Sequence, residues 1–307
     1  MNQPFFSVVI PLYNKEKTIR RAVLSVLTQT YPYFELIIID DGSTDSSVYE
    51  INTFTDGRIR TIRQSNYGVS AARNSGIKNA THSLVAFLDA DDEWKPDFLE
   101  TILVLVNQFP NCGLYGTSYE TQAGEISWRT KGLFPAGWSG IIPDFLKIMS
   151  LHPLCSSAVV ARAEIMEKVG GFPVGVKNGE DVATWLRCSL ISPIAYAHQP
   201  LVIYYRGEEN STSIGFDWRQ EFYPCKVLME LIRDNSIAGE SRVFALDFIA
   251  GADFKAAKAC FRAGEPFKGV IFLLKCLPSA SYRRRIIPLM QGEFLPSLKK
   301  VLVGGIK

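Results

Sequence analysis

The chain has 307 residues, of which 47% are hydrophobic and 21% charged, and its formal net charge is +2. That is length enough for one large domain with an appendage, in the composition of an ordinary core-forming globular protein. So balanced a charge sets up no global field for a polyanion, and no nucleic-acid partner is expected.

In chain order, "FFSVVIPLY" (5–13) is a short apolar, β-branched run stopped by Pro11, and reads as a buried strand. Ile19, Ala22, Val23, Val26 and Leu27 follow at helical spacing. "FELIIID" (34–40) is a second buried strand, running into Asp40-Asp41-Gly42-Ser43. "DSSVYEINTF" opens with an Asp/Ser helix start, "RIRTIRQ" (58–64) alternates as a strand does, and Asn66-Tyr67-Gly68 makes a turn. "VSAARNSGIKNA" reads as a short helix and "SLVAFLD" (83–89) as the next buried strand. Strands and helices alternating at this pace predict an α/β fold built on a mostly parallel sheet flanked by helices.

Beyond residue 95 the pattern loosens. A helix is expected over 96–109 with Pro96 at its start, then a hairpin around Ala123-Gly124, a helical stretch over 137–150 and a strand over 154–161. "GEDVATWLRCSL" (179–190) has helical spacing with Glu180 and Asp181 in its first turn, and "IAYAHQPLVIYYR" (194–206) is strand-like on both sides of Pro200. From about 215 onward only amphipathic helical runs remain, which predicts a division into 1–214 and a C-terminal helical region, 215–307.

The chemistry gathers at strand ends. In "VAFLDADDEW" (85–94) a buried strand runs into Asp89, Asp91 and Asp92. Carboxylates this close raise each other's pKa unless a cation sits among them. In a parallel sheet the ligand crevice lies outside the carboxyl ends of the strands, so Asn14, Asp40-Asp41, the 64–68 turn and Asp89-Asp91 should share one rim. Oxygen ligands of this kind suit Mg²⁺ or Mn²⁺, which complete their shells with substrate phosphates and water. Neither G-x-x-x-x-G-K-[ST] nor a G-x-G-x-x-G after the first strand is present, so the ATPase and dinucleotide readings lose their support.

Four segments in order, "SVVIPLYNKEKTIRRAVLSVLTQTYPYFELIIIDDGSTD", "NYGVSAARNSGI", "LVAFLDADDEW" and "GEDVATWLR", resemble the inverting family 2 glycosyltransferases of the Rossmann-like GT-A fold, over roughly 5–206. The resemblance implies a nucleoside-diphosphate sugar donor, a UDP-sugar for preference. It implies a glycan or lipid-linked acceptor and work in surface polysaccharide assembly, such as lipopolysaccharide or capsule. Pro11, Tyr13 and Asn14 would end the first strand where the family holds the nucleotide. Asp41 would accept from the base N–H, with Asp40 shaping that loop. Asp89 would contact ribose and the metal region, Asp91 would ligate the ion on the diphosphate, and Arg73 would lie near the nucleotide-sugar. Arg73 as a helix-surface ion pair and Asp92 as a cap for the next turn are the plainer alternatives. For an inverting displacement the resemblance points to Asp181 as general base, with Glu180 positioning either the acceptor or the base. The helix dipole at their position favours the ionised form.

One departure stands out. The family's Arg-x-His after the last strand is here "YYRGEENSTSI": Arg206 is kept, but Glu208 stands where the histidine falls. Either Glu208 supplies a metal oxygen, or the loop contributes Arg206 with Ser211 and Ser213. His198 lies inside a strand and reads as structural, while Trp94, Trp128, Trp138 and Trp185 either stack on a sugar or pack. The six cysteines show no metal-ligand spacing and read as buried, reduced thiols. No window resembles a signal peptide or a membrane span, so a cytoplasmic protein is expected. The basic, apolar segment 282–307 suits contact with the inner face of a membrane, or else a helix packed on the domain. Two other functions stay open. A sugar-phosphate nucleotidyltransferase would want a glycine-rich basic loop where "PLYNKEKT" stands. A non-catalytic nucleotide-sugar-binding scaffold would not need Asp181.

Overall fold

The computed structural model describes residues 4–129, 134–207, 217–220 and 222–297. The chain divides into two compact units, Met1–Ile214 and Gly215–Lys307.

The first unit runs β1 (Phe6–Leu12), α1 (Ile19–Leu27), β2 (Phe34–Asp40), α2 (Ser47–Asn52), β3 (Ile59–Arg63), α3 (Val69–Asn79), β4 (Leu84–Phe87), β5 (Glu93–Trp94) and α4 (Phe98–Gln108). It continues through β6 (Leu114–Ala123), β7 (Ile126–Arg129), β8 (Ser139–Ile141), α5 (Phe145–Ile148), β9 (Val159–Arg162), α6 (Ala163–Lys168), α7 (Glu180–Ile191) and β10 (Ile194–Tyr205). The described strands form one sheet in the order β3-β2-β1-β4-β9-β6-β10-β5, with β7 paired to β6 and β8 to β10. The half β3-β2-β1-β4 is parallel throughout. In the other half β9 runs antiparallel between β4 and β6, and β10 runs parallel to β6. The result is a mixed α/β architecture with its parallel part at the N-terminal side.

Every residue of β1 is buried, because both faces of the strand are covered, and its sequence is accordingly an almost unbroken apolar run. The apolar stripe of α1, Ile19, Ala22, Val23 and Val26, lies in one cluster with Val8, Ile10, Leu36, Ile38 and Ile102. On α3 there is less to bury, and a glycine does the fitting. A Cβ on Gly76 would stand 2.2 Å from Val9 Cγ1, so the helix backbone rests directly on β1. That close seat sets the height of Arg73, one turn earlier on the same helix.

Two expectations need correction. Residues 137–150 are not one helix: they hold β8, whose three residues pair with β10, and the short α5. The strand expected from 154 begins only at Val159, after a 3-10 turn over Ser156–Ala158. In the first case edge pairing outweighs helical spacing.

The second unit holds α8 (Tyr223–Arg233), α9 (Gly239–Arg262), α10 (Pro266–Lys275) and α11 (Ala280–Leu289), with Ala257, Phe261, Leu273 and Leu289 in its core. Among the described residues no helix is long and apolar enough to cross a membrane.

Candidate active site

The strand order turns at β1, with β2 on one side and β4 on the other, which makes the gap between the β1 and β4 ends the switch point of the parallel half. Asn14, Asp40-Asp41, the 64–68 turn and Asp89 leave four neighbouring parallel strands at their carboxyl ends, and so share one rim.

The loops on that rim are laced together. Asn14 has a positive φ of 50°, a conformation asparagine tolerates better than most residues. Its Oδ1 accepts from the Thr44 backbone N–H at 2.8 Å, and Ser47 Oγ accepts from the Lys15 N–H at 2.7 Å. Asp40 is buried and its Oδ1 accepts from the Ser43 N–H at 2.8 Å, while Arg63 Nε stands 3.4 Å from its other oxygen. Asp41, also buried, accepts from Gln64 Nε2 at 2.8 Å and from the Tyr67 and Gly68 N–H groups at 3.0 and 2.8 Å. It thereby holds the 64–68 turn against the end of β2. Pro11 is buried within β1, while Tyr13 beyond it is 43% exposed.

The like-charged aspartates are answered by the protein's own cations. Arg73 is only 2% exposed, and its guanidinium donates to Asp89 Oδ1 at 2.6 Å and to Glu180 Oε1 at 2.9 Å. Lys15 Nζ lies 2.6 Å from Asp91 Oδ2. Asp92 is fully buried and accepts from Ser157 Oγ and from the Tyr205 N–H, so it ties β10 to the 156–158 turn and does not cap the following turn as expected. Burial first, then the charges of Asp91 and Asp89, push its pKa well above the carboxylate range.

A second device brings the α7 carboxylates to the same place. Asn74, next to Arg73, makes two hydrogen bonds to the backbone of Phe172, one in each direction and both 2.8 Å. The Arg73 guanidinium sits 5.2 Å from the Phe172 ring centroid. The segment leading into α7 is thus docked on α3, and Gly179, at a φ of 77°, turns the chain into the helix. Asp181 follows, and its pKa is pushed up to about 7: burial is the largest cause, the Glu180 charge adds to it, and Arg73 opposes both. The expectation that the helix dipole leaves this carboxylate readily ionised is therefore corrected, because desolvation and a like charge outweigh it.

The remaining sequence candidates scatter. Arg206 follows β10 and is exposed, and among the described residues its side chain joins none of these contacts. Glu208, Ser211 and Ser213 lie outside the described residues. His198 sits on β10, where burial lowers its pKa. Trp94 and Trp185 are core residues, the former donating to the Ser157 carbonyl at 2.7 Å, and Trp138 stacks on Phe134. Described cysteines are free thiols, most of them buried. Sequence reasoning did not single out Lys15, Asn74 or Ser157; only the position of Lys15, three residues past the end of β1, carried any signal.

A divalent cation suits the donor set. Among the described residues no three His, Cys, Asp or Glu side chains converge to hold a metal by themselves. Asp89 and Asp91 would supply hard oxygens to an ion whose other ligands come from a diphosphate and water. The ammonium against Asp91 shows that this carboxylate takes a cation at close range.

The sequence pattern described as "Glycosyl transferase family 2" matches residues 7–170, more than half of the chain. The chain belongs to glycosyl transferase family 2. A relative in Bacillus subtilis, named a putative teichuronic acid biosynthesis glycosyltransferase TuaG, is 32% identical over 215 residues, 69% of this chain and 82% of that protein. Two relatives, in Rickettsia felis and Rickettsia conorii, both named uncharacterized glycosyltransferases, are 35% and 34% identical, and the chain spans only 29% and 30% of them. Among solved structures the fold is similar to TarS 1-349 of S. aureus in complex with UDP-GlcNAc (TM-score 0.61, 18% identity, 91% of this chain and 92% of that one). It is similar also to the mannosyltransferase PcManGT of Pyrobaculum calidifontis in complex with GDP-Man and Mn²⁺ (TM-score 0.60, 18% identity, 98% of this chain and 88% of that one). These likenesses establish the GT-A fold for this family 2 chain.

Proposed function

We propose that the protein transfers a sugar from a nucleoside-diphosphate sugar, a UDP-sugar for preference, to a hydroxyl of a glycan or lipid-linked acceptor, with inversion at the anomeric carbon. The observation that carries this reading is the chain of contacts Asp89–Arg73–Glu180 with Asp181 beside it, which sets a carboxylate titrating near neutral pH beside the donor-side aspartates. The family 2 match, the nucleotide-sugars named with TarS and PcManGT, and the teichuronic acid role in the name of TuaG support it.

In this mechanism Tyr13 and the Asp41 turn receive the nucleotide base, and Asp89 faces the ribose. Asp91, with Asp89 and Glu208, would hold Mn²⁺ or Mg²⁺, which when bound neutralises charge building on the departing diphosphate. Asp181 takes the proton from the acceptor hydroxyl as its oxygen attacks the anomeric carbon and the bond to the diphosphate breaks. A base with a pKa near the working pH combines enough ionised form with enough driving force for proton transfer. Glu180, paired with Arg73, positions the acceptor or the base, and its charge raises the basicity of Asp181. Incubation with UDP- and GDP-sugars and Mn²⁺, followed by NMR of the product anomer, tests the reading. An inverted glycoside supports it. A retained configuration, formation of nucleoside triphosphate in pyrophosphate, or binding without turnover each contradicts it.

A further inference from the structure

The pair Lys15–Asp91 is not explained by the transfer chemistry. Lys15 follows β1 and the left-handed turn at Asn14, its backbone N–H fixed on Ser47 Oγ, and its ammonium reaches across to Asp91. Both side chains are largely shielded, at 12% and 16% exposure. A second cation approaches the same residue differently. Arg21 donates to the Asp91 carbonyl, not its carboxylate, and its guanidinium lies 3.6 Å from the Tyr205 ring centroid, which fixes it in place. Lys15 is a point charge on a flexible four-carbon stem, so of the two it is the one that can move.

We propose that Lys15 is a built-in counter-cation of the metal-binding carboxylate: a divalent ion can reach Asp91 only by displacing this ammonium, and a nucleoside diphosphate makes that exchange favourable. This rests on the reading of Asp91 as a metal ligand. With no nucleotide present, the ion would have to strip Asp91 of its partner and strand an ammonium in a shielded place. A diphosphate supplies new negative charge within reach of the same stem, so the ammonium exchanges one anion for another. Ion and nucleotide then bind with positive coupling, and by linkage each tightens the other by the same factor. The arrangement keeps the acidic rim charge-compensated between turnovers and lets the full charge of the ion enter only with the donor.

The test measures Mn²⁺ affinity by EPR of the free ion, at fixed pH, with Mn²⁺ alone and with Mn²⁺ plus UDP or GDP, in the wild type and in K15M, K15R and D91N. Loss of the ammonium in Lys15→Met should tighten binding of Mn²⁺ alone roughly two- to fivefold, the upper range for a solvent-touched ion pair. The nucleotide should enhance Mn²⁺ binding less in K15M than in the wild type, and Lys15→Arg, which keeps the charge, should behave as the wild type does. Equal or weaker binding of Mn²⁺ alone in K15M, with D91N still abolishing nucleotide-dependent binding, overturns the role of Lys15 and leaves the metal reading standing. Unaltered Mn²⁺ binding in D91N overturns the metal reading, and the role of Lys15 falls with it.

Discussion

Asp181 carries two opposed demands. In its proposed role as base it must be ionised; half-buried beside Glu180 it resists ionisation, and its pKa reaches about 7. The acid limb of the pH profile of kcat/KM should therefore lie near 7, with activity falling as the pH drops below it. Asp181→Asn should lower kcat by at least ~10²-fold, the lower bound for loss of general-base help. The same group has a stability signature. Because folding raises its pKa, the folded chain holds that proton more tightly than the unfolded chain does. The stability it contributes is present in full below the unfolded carboxylate value and is lost as the pH rises toward 7. At pH 8 D181N should accordingly unfold at higher denaturant than the wild type, by about 1–3 kcal/mol after allowance for its partial exposure. Equal stability at pH 8, or an acid limb near 4, would show that Asp181 is not the strained carboxylate described. At this scale Asp89, Asp91, Glu180 and Asp181 were readable from the sequence, because acidic residues at strand ends and helix starts are local patterns. Arg73 stood out as well, but which carboxylates each cation meets was not readable. Lys15 meets Asp91 across 76 residues of chain and Arg73 meets Glu180 across 107, and only tertiary structure sets such pairs.

Among the elements, α3 is the piece on which the site depends. Arg73 and Asn74 project from it to Asp89, Glu180 and Phe172, and Gly76 decides how closely it lies on β1. A methyl at position 76 meets Val9 Cγ1 at 2.2 Å and Cγ2 at 2.8 Å, both atoms of a stiff, fully buried side chain. Gly76→Ala should cost about 1–3 kcal/mol in chemical denaturation, the usual range for overpacking, and should lower activity by moving Arg73. Val9→Ala opens the space, so the double variant should recover a large part of both; independent, additive losses would place the helix seat elsewhere. The strands of the parallel half were legible because burial on both faces writes them as continuous apolar runs. β8 was not, since three residues paired to an edge leave no period to read, and the antiparallel insertion of β9 between β4 and β6 is a pairing choice that its own apolar sequence does not encode.

For the molecule as a whole, the division into two units with separate cores predicts that residues 1–214 fold alone and bind UDP with Mn²⁺, which circular dichroism and nucleotide titration would check. A fragment that is unfolded, or folded but unable to bind, would show that the helical unit completes the site. In that helical unit α11 presents exposed Arg283, Arg284 and Arg285 beside exposed Ile287. We propose it as a peripheral contact for anionic membrane. Replacing the three arginines with glutamine should release the protein from phosphatidylglycerol vesicles in flotation by at least ~10-fold, at about 1 kcal/mol per charge; unchanged flotation removes the idea.

The central claim is that one rim holds the donor through Asp91 and activates the acceptor through Asp181. It is tested most directly by measuring, in one experiment, Mn²⁺-dependent binding of the donor nucleotide and sugar transfer for the wild type, D91N and D181N. Loss of Mn²⁺-dependent binding in D91N, together with wild-type binding but no transfer in D181N, is the predicted result. Transfer at the wild-type rate in D181N, or intact Mn²⁺-dependent binding in D91N, would contradict it.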